Sequence, residues 1–162
     1  MCLLAGTQRR VSAPSVTSPM DTYAGLDVGG VGDVTALVYG HIDEAGVVTV
    51  DGDVTYPRTP SVEKLAAWVD TSLRMRSVKS GVMCQWNSAA LVQELRLRGM
   101  DHFEVISHTR ARVEEQTRVV RALREAGKLL VAPGVGKTLD QILAAPDEAA
   151  ALLRMVWAAT RG

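Results

Sequence analysis

Apolar and polar residues alternate along the first part of the chain with the two-residue period of β-strands. The clearest case is Val48, Val50 and Val54, which are separated mainly by polar residues. Turn residues at 43–46 and a glycine cluster at 29–32 interrupt the pattern and are expected to form tight turns. Three strands of a meander are therefore predicted, at 23–28, 34–41 and 47–56.

From residue 61 onward, the apolar residues have helical spacing, and short apolar runs separate the helical stretches. Leu65, Trp68, Val69 and Leu73 lie on one face of a helix predicted at 61–76. Further helices are predicted at 88–98, 110–126, 138–145 and 147–160, and short strands at 81–84, 103–106 and 129–131. This order predicts an α/β fold with a mixed sheet, in which a three-strand meander precedes alternating helices and strands.

The composition fits one domain of ordinary size. The chain has 162 residues, of which 47% are apolar but only 4% aromatic, so Ala, Val, Leu and Met must build the core. Residues 1–21 are predicted to be a flexible leader and 22–162 the domain. No apolar run is long enough to cross a membrane, so no membrane partner is expected. Cys2 and Cys84 make no disulfide framework, which favours a reducing, cytoplasmic setting.

The charges are segregated along a chain whose formal net charge is zero. Residues 1–70 carry four Lys or Arg and nine Asp or Glu. Residues 71–128 carry eleven Lys or Arg and six Asp or Glu. This segregation fits metal-binding carboxylates beside a phosphate-contacting surface, and ordinary solvated helices are the alternative. The residues expected to contact DNA are Arg110, Arg112, Arg118 and Arg121 on one helix and Lys137 in a glycine turn.

The segment 134–138 imitates the end of a phosphate-binding loop. The full motif needs a glycine five residues before Gly136, where this chain has Val131. Nucleotide binding is therefore not predicted here, and a plain loop is the alternative to a DNA-phosphate contact by Lys137.

Asp27 is the first candidate for chemistry, because it stands near the end of a predicted strand, just before the glycine turn. Glycines at 29, 30 and 32 let the backbone adopt positive φ and come close to a ligand. An acidic residue in such a place commonly holds a divalent metal or faces a phosphate. A turn-capping aspartate in an ordinary hairpin is the alternative.

A metal site would need a second carboxylate from later in the chain. Asp147, which follows Pro146 at the start of the last predicted helix, is the candidate, and Glu148 and Asp140 come after it. If Asp147 converges on Asp27, the two could hold Mg²⁺ or Mn²⁺ at a phosphodiester and activate a water. Helix capping is the alternative explanation for an acidic residue at this position.

These motifs, in this order, resemble the C-terminal nuclease domain of the large terminase subunit of tailed bacteriophages over residues 22–160. Residues 25–38, with Asp27, the glycine turn and the return through Asp33, look like the family's first motif. Residues 82–91 are similar to the second motif region, and the helix that begins at Asp147 looks like the closing helix. The element order is also that of a ribonuclease H-like fold.

The resemblance implies a metal-dependent endonuclease that cuts concatemeric phage DNA during packaging in the bacterial host cell. It implies one or two Mg²⁺ or Mn²⁺ ions, with Asp27 and Asp147 as catalytic metal ligands and Asp33 as a further ligand. The implied partners are double-stranded DNA and other packaging proteins, namely the ATPase motor and the portal. Residues 1–22 are too few to supply that motor, so an isolated, split or degenerate nuclease-type domain is expected.

The second motif departs from the family pattern, which usually places an acidic residue before the aromatic one. That position falls on Cys84, or on Gln85 if the register shifts by one. A weakened or inactive nuclease is one expectation, and a non-catalytic DNA-binding or assembly module of the same fold is the alternative.

The opening also resembles the first phosphate motif of actin-like-fold sugar kinases, although Val31 replaces the usual Thr, so a kinase fragment is a further alternative.

Overall fold

The computed structural model describes residues 20–29, 33–58 and 61–161. The predicted leader lies outside the described residues except for Met20 and Asp21, so its flexibility stays a prediction. The three central residues of the glycine turn, 30–32, also lie outside the described part of the chain.

Within these described residues, six strands and five α-helices follow one another in the order that the sequence predicts. The strands are β1 (Thr22–Asp27), β2 (Thr35–Ile42), β3 (Val48–Tyr56), β4 (Val78–Cys84), β5 (Phe103–Ile106) and β6 (Leu129–Val131). The helices are α1 (Val62–Met75), α2 (Ala89–Leu97), α3 (Arg110–Glu125), α4 (Leu139–Ala144) and α5 (Pro146–Arg161). Most predicted bounds agree within two residues, but β4 begins three residues earlier than predicted.

All six strands form one sheet in the order β5-β4-β1-β2-β3-β6. The meander β1-β2-β3 is antiparallel, whereas β4 pairs parallel to β1, β5 parallel to β4, and β6 parallel to β3. The predicted mixed sheet is thus confirmed. The parallel arrangement brings the carboxyl ends of β1, β4 and β5 to the same edge of the sheet.

Helices cover both faces of this sheet and give it two separate apolar cores. On one face, Tyr23 and Val38 of the sheet pack with Leu152 and Met155 of α5, and α3 and α4 complete this layer. On the other face, residues such as Leu26 pack with α1 and α2. Successive strand residues point to opposite faces, so odd-numbered positions of β1 face α5.

The helix α5 lies directly on β1 because Gly25 has no side chain. A Cβ at Gly25 would collide with the backbone of Ala151 and Met155. This close approach carries the next residue of the helix face, Arg154, to the carboxyl end of β1. Gly25 therefore allows the side chain of Arg154 to reach the end of β1.

Candidate functional site

The carboxylate of Asp27 is bound by a buried guanidinium. Arg154 Nη1 donates to Asp27 Oδ1 at 2.6 Å and to the carbonyl oxygen of Leu26 at 3.1 Å. The Arg154 side chain is only 4% exposed, and that of Asp27 is 24% exposed. Because arginine stays protonated in proteins, the pair is an essentially neutral unit at the edge of the sheet.

Cys84 takes the place beside Asp27 on the neighbouring strand. The parallel register pairs Gly25 with Val82 and Leu26 with Met83, and one further step sets Asp27 against Cys84. Cys84 is buried, and its thiol points to the carbonyl oxygen of Trp86 at 3.7 Å. Of the two positions that the sequence left open for the second motif's acidic residue, the register favours Cys84 over Gln85.

The hairpin after Asp27 is closed tightly at its base. The Gly29 N–H donates to the hydroxyl of Thr35 at 3.2 Å, and Thr35 is buried. A Cβ at Gly29 would collide with the carbonyl group of Val34, so only glycine fits there. Asp33, at the far side of the turn, is exposed.

Asp147 lies in the first turn of α5, where the sequence places it, and it is exposed. It precedes Arg154 by seven residues, which corresponds to about 10 Å along the helix axis. The side chain that α5 presents at Asp27 is therefore Arg154 rather than Asp147. Sequence reasoning missed Arg154, although it is the one charged residue in the apolar stretch 149–160.

The neighbouring Glu148 belongs to a second ionic cluster that the sequence did not predict. Lys137 Nζ donates to Asp53 Oδ2 at 2.6 Å and to Glu148 Oε1 at 2.9 Å. These hydrogen bonds, that of Asp53 first, raise the pKa of Lys137, while partial burial opposes the shift. Lys137 thus ties the loop before α4 to β3 and α5, and we call this set the Lys137 cluster.

The residues around Asp27 do not fit the divalent metal that the family resemblance implies. Within the described ranges, no three His, Cys, Asp or Glu side chains come together in a group that could hold a metal ion. Asp27 is engaged by a cation already, and Cys84 offers a soft sulfur where Mg²⁺ prefers oxygen. The metal roles assigned to Asp27, Asp33 and Asp147 stay predictions.

The predicted DNA-contacting residues divide into engaged and free side chains. Arg110 pairs with Glu114, Arg112 pairs with Glu115 and stacks on Trp157, and Lys137 belongs to its cluster. Arg118 and Arg121 are exposed on α3, and neither makes an ion pair or hydrogen bond within the described part of the chain. These two arginines are the predicted contacts that remain available to a phosphate.

None of the described helices is long and apolar enough to span a bilayer.

Solved nuclease structures share this architecture. The large terminase nuclease from thermophilic phage G20c with bound zinc superposes with a TM-score of 0.63 at 15% identity, covering 88% of this chain and 82% of that one. The HK97 bacteriophage large terminase superposes with a TM-score of 0.63 at 14% identity, covering 87% of this chain and 40% of that one. T. thermophilus RuvC in complex with a Holliday junction substrate superposes with a TM-score of 0.54 at 14% identity, covering 86% of this chain and 96% of that one. No protein-family model matches the chain, and no curated protein matches it in sequence.

Identities this low establish the fold and nothing finer. In other superpositions the chain spans 59% of the G20c nuclease and 63% of the SPP1 nuclease domain, the latter solved with bound manganese. The resemblance to large terminase nuclease domains is therefore confirmed at the level of structure. This chain has the ribonuclease H-like fold that the large terminase nucleases and RuvC have in common.

Proposed function

We propose that this chain is a double-stranded DNA-binding domain of the terminase nuclease type that does not itself cleave DNA. The observation that carries the proposal is the Asp27–Arg154 pair with Cys84 beside it. The fold supports a DNA-related role, and the pair argues against phosphodiester hydrolysis at this site.

The pair opposes metal-assisted cleavage for electrostatic reasons. Metal-dependent hydrolysis needs carboxylates that converge on a divalent ion, which then polarises the phosphate and activates a water. Arg154 places a positive charge 2.6 Å from one of the two carboxylate oxygens of Asp27, where it would repel a divalent ion bound at the other oxygen. Moving the guanidinium away would strand the buried charge of Arg154 and leave the half-buried carboxylate of Asp27 uncompensated, which is costly.

DNA binding rests on the free basic side chains of α3. Arg118 and Arg121 are exposed, and no carboxylate within the described residues neutralises them. Contacts of this kind are to phosphates, so they give affinity without sequence preference and weaken steeply as salt rises. We propose that in a packaging assembly this domain contacts DNA alongside an ATPase motor and a portal.

The test combines DNA binding and DNA cleavage with the same purified protein. Salt-dependent binding of a duplex is expected in EDTA, and Arg118→Ala combined with Arg121→Ala should reduce both the affinity and the salt dependence. Arg110→Ala is the comparison variant on the same helix and should reduce both less, since Glu114 pairs with Arg110. Supercoiled plasmid should stay intact with Mg²⁺, Mn²⁺ or EDTA.

A metal-dependent nick would overturn the non-catalytic part of the proposal. If that nicking disappears in Asp27→Asn and in Asp147→Asn, the chain is an active endonuclease with those two ligands. Absence of duplex binding by well-folded protein at low salt would overturn the DNA-binding part.

A further inference from the structure

Trp86 is the one exposed tryptophan of the three in this chain. It is 59% exposed, whereas Trp157 is 3% exposed and Trp68 stacks on Tyr56. Exposed Gln85 and Asn87 flank it in the connection between β4 and α2. We call residues 85–87 the Trp86 loop.

The Trp86 loop borders the same edge of the sheet as Asp27. It begins one residue after Cys84, which lies beside Asp27 in the parallel register. The Gln85 N–H donates to the carbonyl oxygen of Ile106 at 2.9 Å, and the Cys84 thiol points to the Trp86 carbonyl oxygen. The backbone is therefore anchored on both sides of an indole ring that is left in solvent.

The chemistry around the ring fits a nucleobase better than a protein surface. An indole offers a flat apolar face, and two carboxamides next to it offer donors and acceptors for base edges. An apolar protein partner would need a contiguous apolar patch, but the exposed neighbours are Gln85, Asn87 and the small Ala89 and Ala90.

The electrostatics of the following helix agree with a nucleic acid. The first turn of α2 contains no acidic residue, and the Ser88 side chain does not cap it. The helix itself thus supplies no side chain that neutralises the positive end of its dipole beside the Trp86 loop, which favours a phosphate group nearby.

We propose that the Trp86 loop binds an unpaired base of DNA, with Trp86 stacking on the base. This inference rests on the proposed function, because it takes DNA as the ligand and extends its path from α3 to the edge of the sheet near Asp27. A base inside an intact duplex is covered by its neighbours and offers no face for stacking. The loop therefore gives the domain a preference for DNA with unpaired bases, such as a frayed end or a single-stranded tail.

The experiment compares a fully paired duplex with the same duplex carrying a single-stranded tail. The wild-type chain should bind the tailed duplex about tenfold more tightly, which is the size expected for stacking of one base. Trp86→Ala should remove this preference and leave the affinity for the paired duplex unchanged. Trp86→Phe should keep most of the preference, because a phenyl ring still stacks.

Leu97→Ala is the matched surface control. Leu97 is 74% exposed at the far end of α2, so its removal should leave the preference for the tail intact. Tryptophan fluorescence is a second readout. The tail should quench the emission of the wild-type chain, and this quenching should be absent in Trp86→Phe.

The outcomes separate this inference from the proposed function. If the wild-type chain binds paired and tailed DNA equally, or if Trp86→Ala weakens both alike, the inference is overturned while DNA binding stands. If neither DNA is bound, the proposed function is overturned as well. A tail preference that survives Trp86→Ala would show that another surface reads the unpaired strand, which also overturns the inference.

Discussion

Two ionic clusters join α5 to the sheet, and they differ in charge and in burial. At the end of β1, one carboxylate, Asp27, meets one guanidinium, Arg154, which is 4% exposed. At β3, two carboxylates, Asp53 and Glu148, share one ammonium, and Lys137 is 38% exposed. The first cluster is neutral, whereas the second keeps one negative charge in excess.

The difference lies in how fully each cluster balances the charge of its carboxylates. At Asp27 the guanidinium of Arg154 balances the carboxylate, so the pair has no net negative charge to attract a further cation. The Lys137 cluster has one carboxylate in excess, and its ammonium group, on a long side chain, contacts solvent. The ion pairs of this cluster are therefore easier to break than the Asp27–Arg154 pair. The place predicted to be catalytic is thus the electrostatically satisfied one.

Removal of Arg154 should have the largest effect on this comparison. Arg154→Met leaves the Asp27 carboxylate without its cation and should lower the free energy of unfolding by about 3 kcal/mol. Urea denaturation at neutral pH measures this change. The double variant Asp27→Asn/Arg154→Met should recover part of the loss, since it removes the stranded charge too. A change of under about 0.5 kcal/mol in Arg154→Met, which is typical of an uninvolved surface residue, would contradict the pairing.

Gly25→Ala tests whether the approach of α5 is what allows the first cluster to form. The added methyl group meets helix backbone, which cannot rotate away as a side chain could, so a loss of about 2 kcal/mol is expected. Gly134→Ala is the control, because a Cβ there meets no atom within 4 Å. Thermal unfolding of both variants decides the matter, and equal melting temperatures would show that α5 adjusts freely.

Removal of Lys137 should have a smaller effect that depends on pH. Lys137→Met should cost less than about 1 kcal/mol at neutral pH, because the side chain is over one-third exposed and screened by solvent. Asp53 and Glu148 raise the pKa of Lys137 in the folded state, so its contribution is complete below the ordinary lysine pKa. It should be lost only as the pH rises through the raised value.

The corresponding measurement is the stability difference between wild type and Lys137→Met as the pH is raised from neutral into the alkaline range. Lys79→Met serves as the control, since Lys79 forms an exposed pair with Asp21 alone and should matter less. A difference that grows with pH would contradict the assignment of this cluster.

Divalent metal should have the smallest effect of all. Mn²⁺ is expected to leave the melting temperature of the wild-type chain unchanged, because an ion stabilises the folded state only where it binds, and the described residues form no group of three metal-ligating side chains. If Mn²⁺ does stabilise the chain, the variants locate the ion. Loss of the shift in Asp27→Asn would place it at the first cluster, and loss in Asp53→Asn at the Lys137 cluster.

The sequence was sufficient for the element order because that order follows from local periodicity. The beginning of β4 was missed because Val78, Lys79 and Ser80 include only one apolar residue, and pairing with β1 decides their conformation. The position of Asp27 and the start of α5 were predicted from local motifs, whereas the departure at Cys84 or Gln85 was seen only through the family resemblance.

The partner of Asp27 could not be found in the same way, because a helix position shows which face is apolar but not what lies across from it. The signal available for Arg154 was its isolation among Leu153, Met155 and Val156 on an otherwise apolar helix. A charge in such a stretch is buried only when it is paired, so it pointed to a carboxylate on the sheet. The Lys137 cluster had no such signal, since each member lies in an ordinarily polar segment.

The pair at the end of β1 also bears on how this domain is made. Asp27 and Arg154 are 127 residues apart. The carboxylate at the end of β1 therefore gains its partner only after α5 has been synthesised and has packed on the sheet. During synthesis, all six strands leave the ribosome before α5 does, with the Gly25 surface uncovered and the Asp27 carboxylate alone. Contacts that close so large a loop form slowly. The nascent domain is thus expected to pass its most aggregation-prone period just before α5 is released.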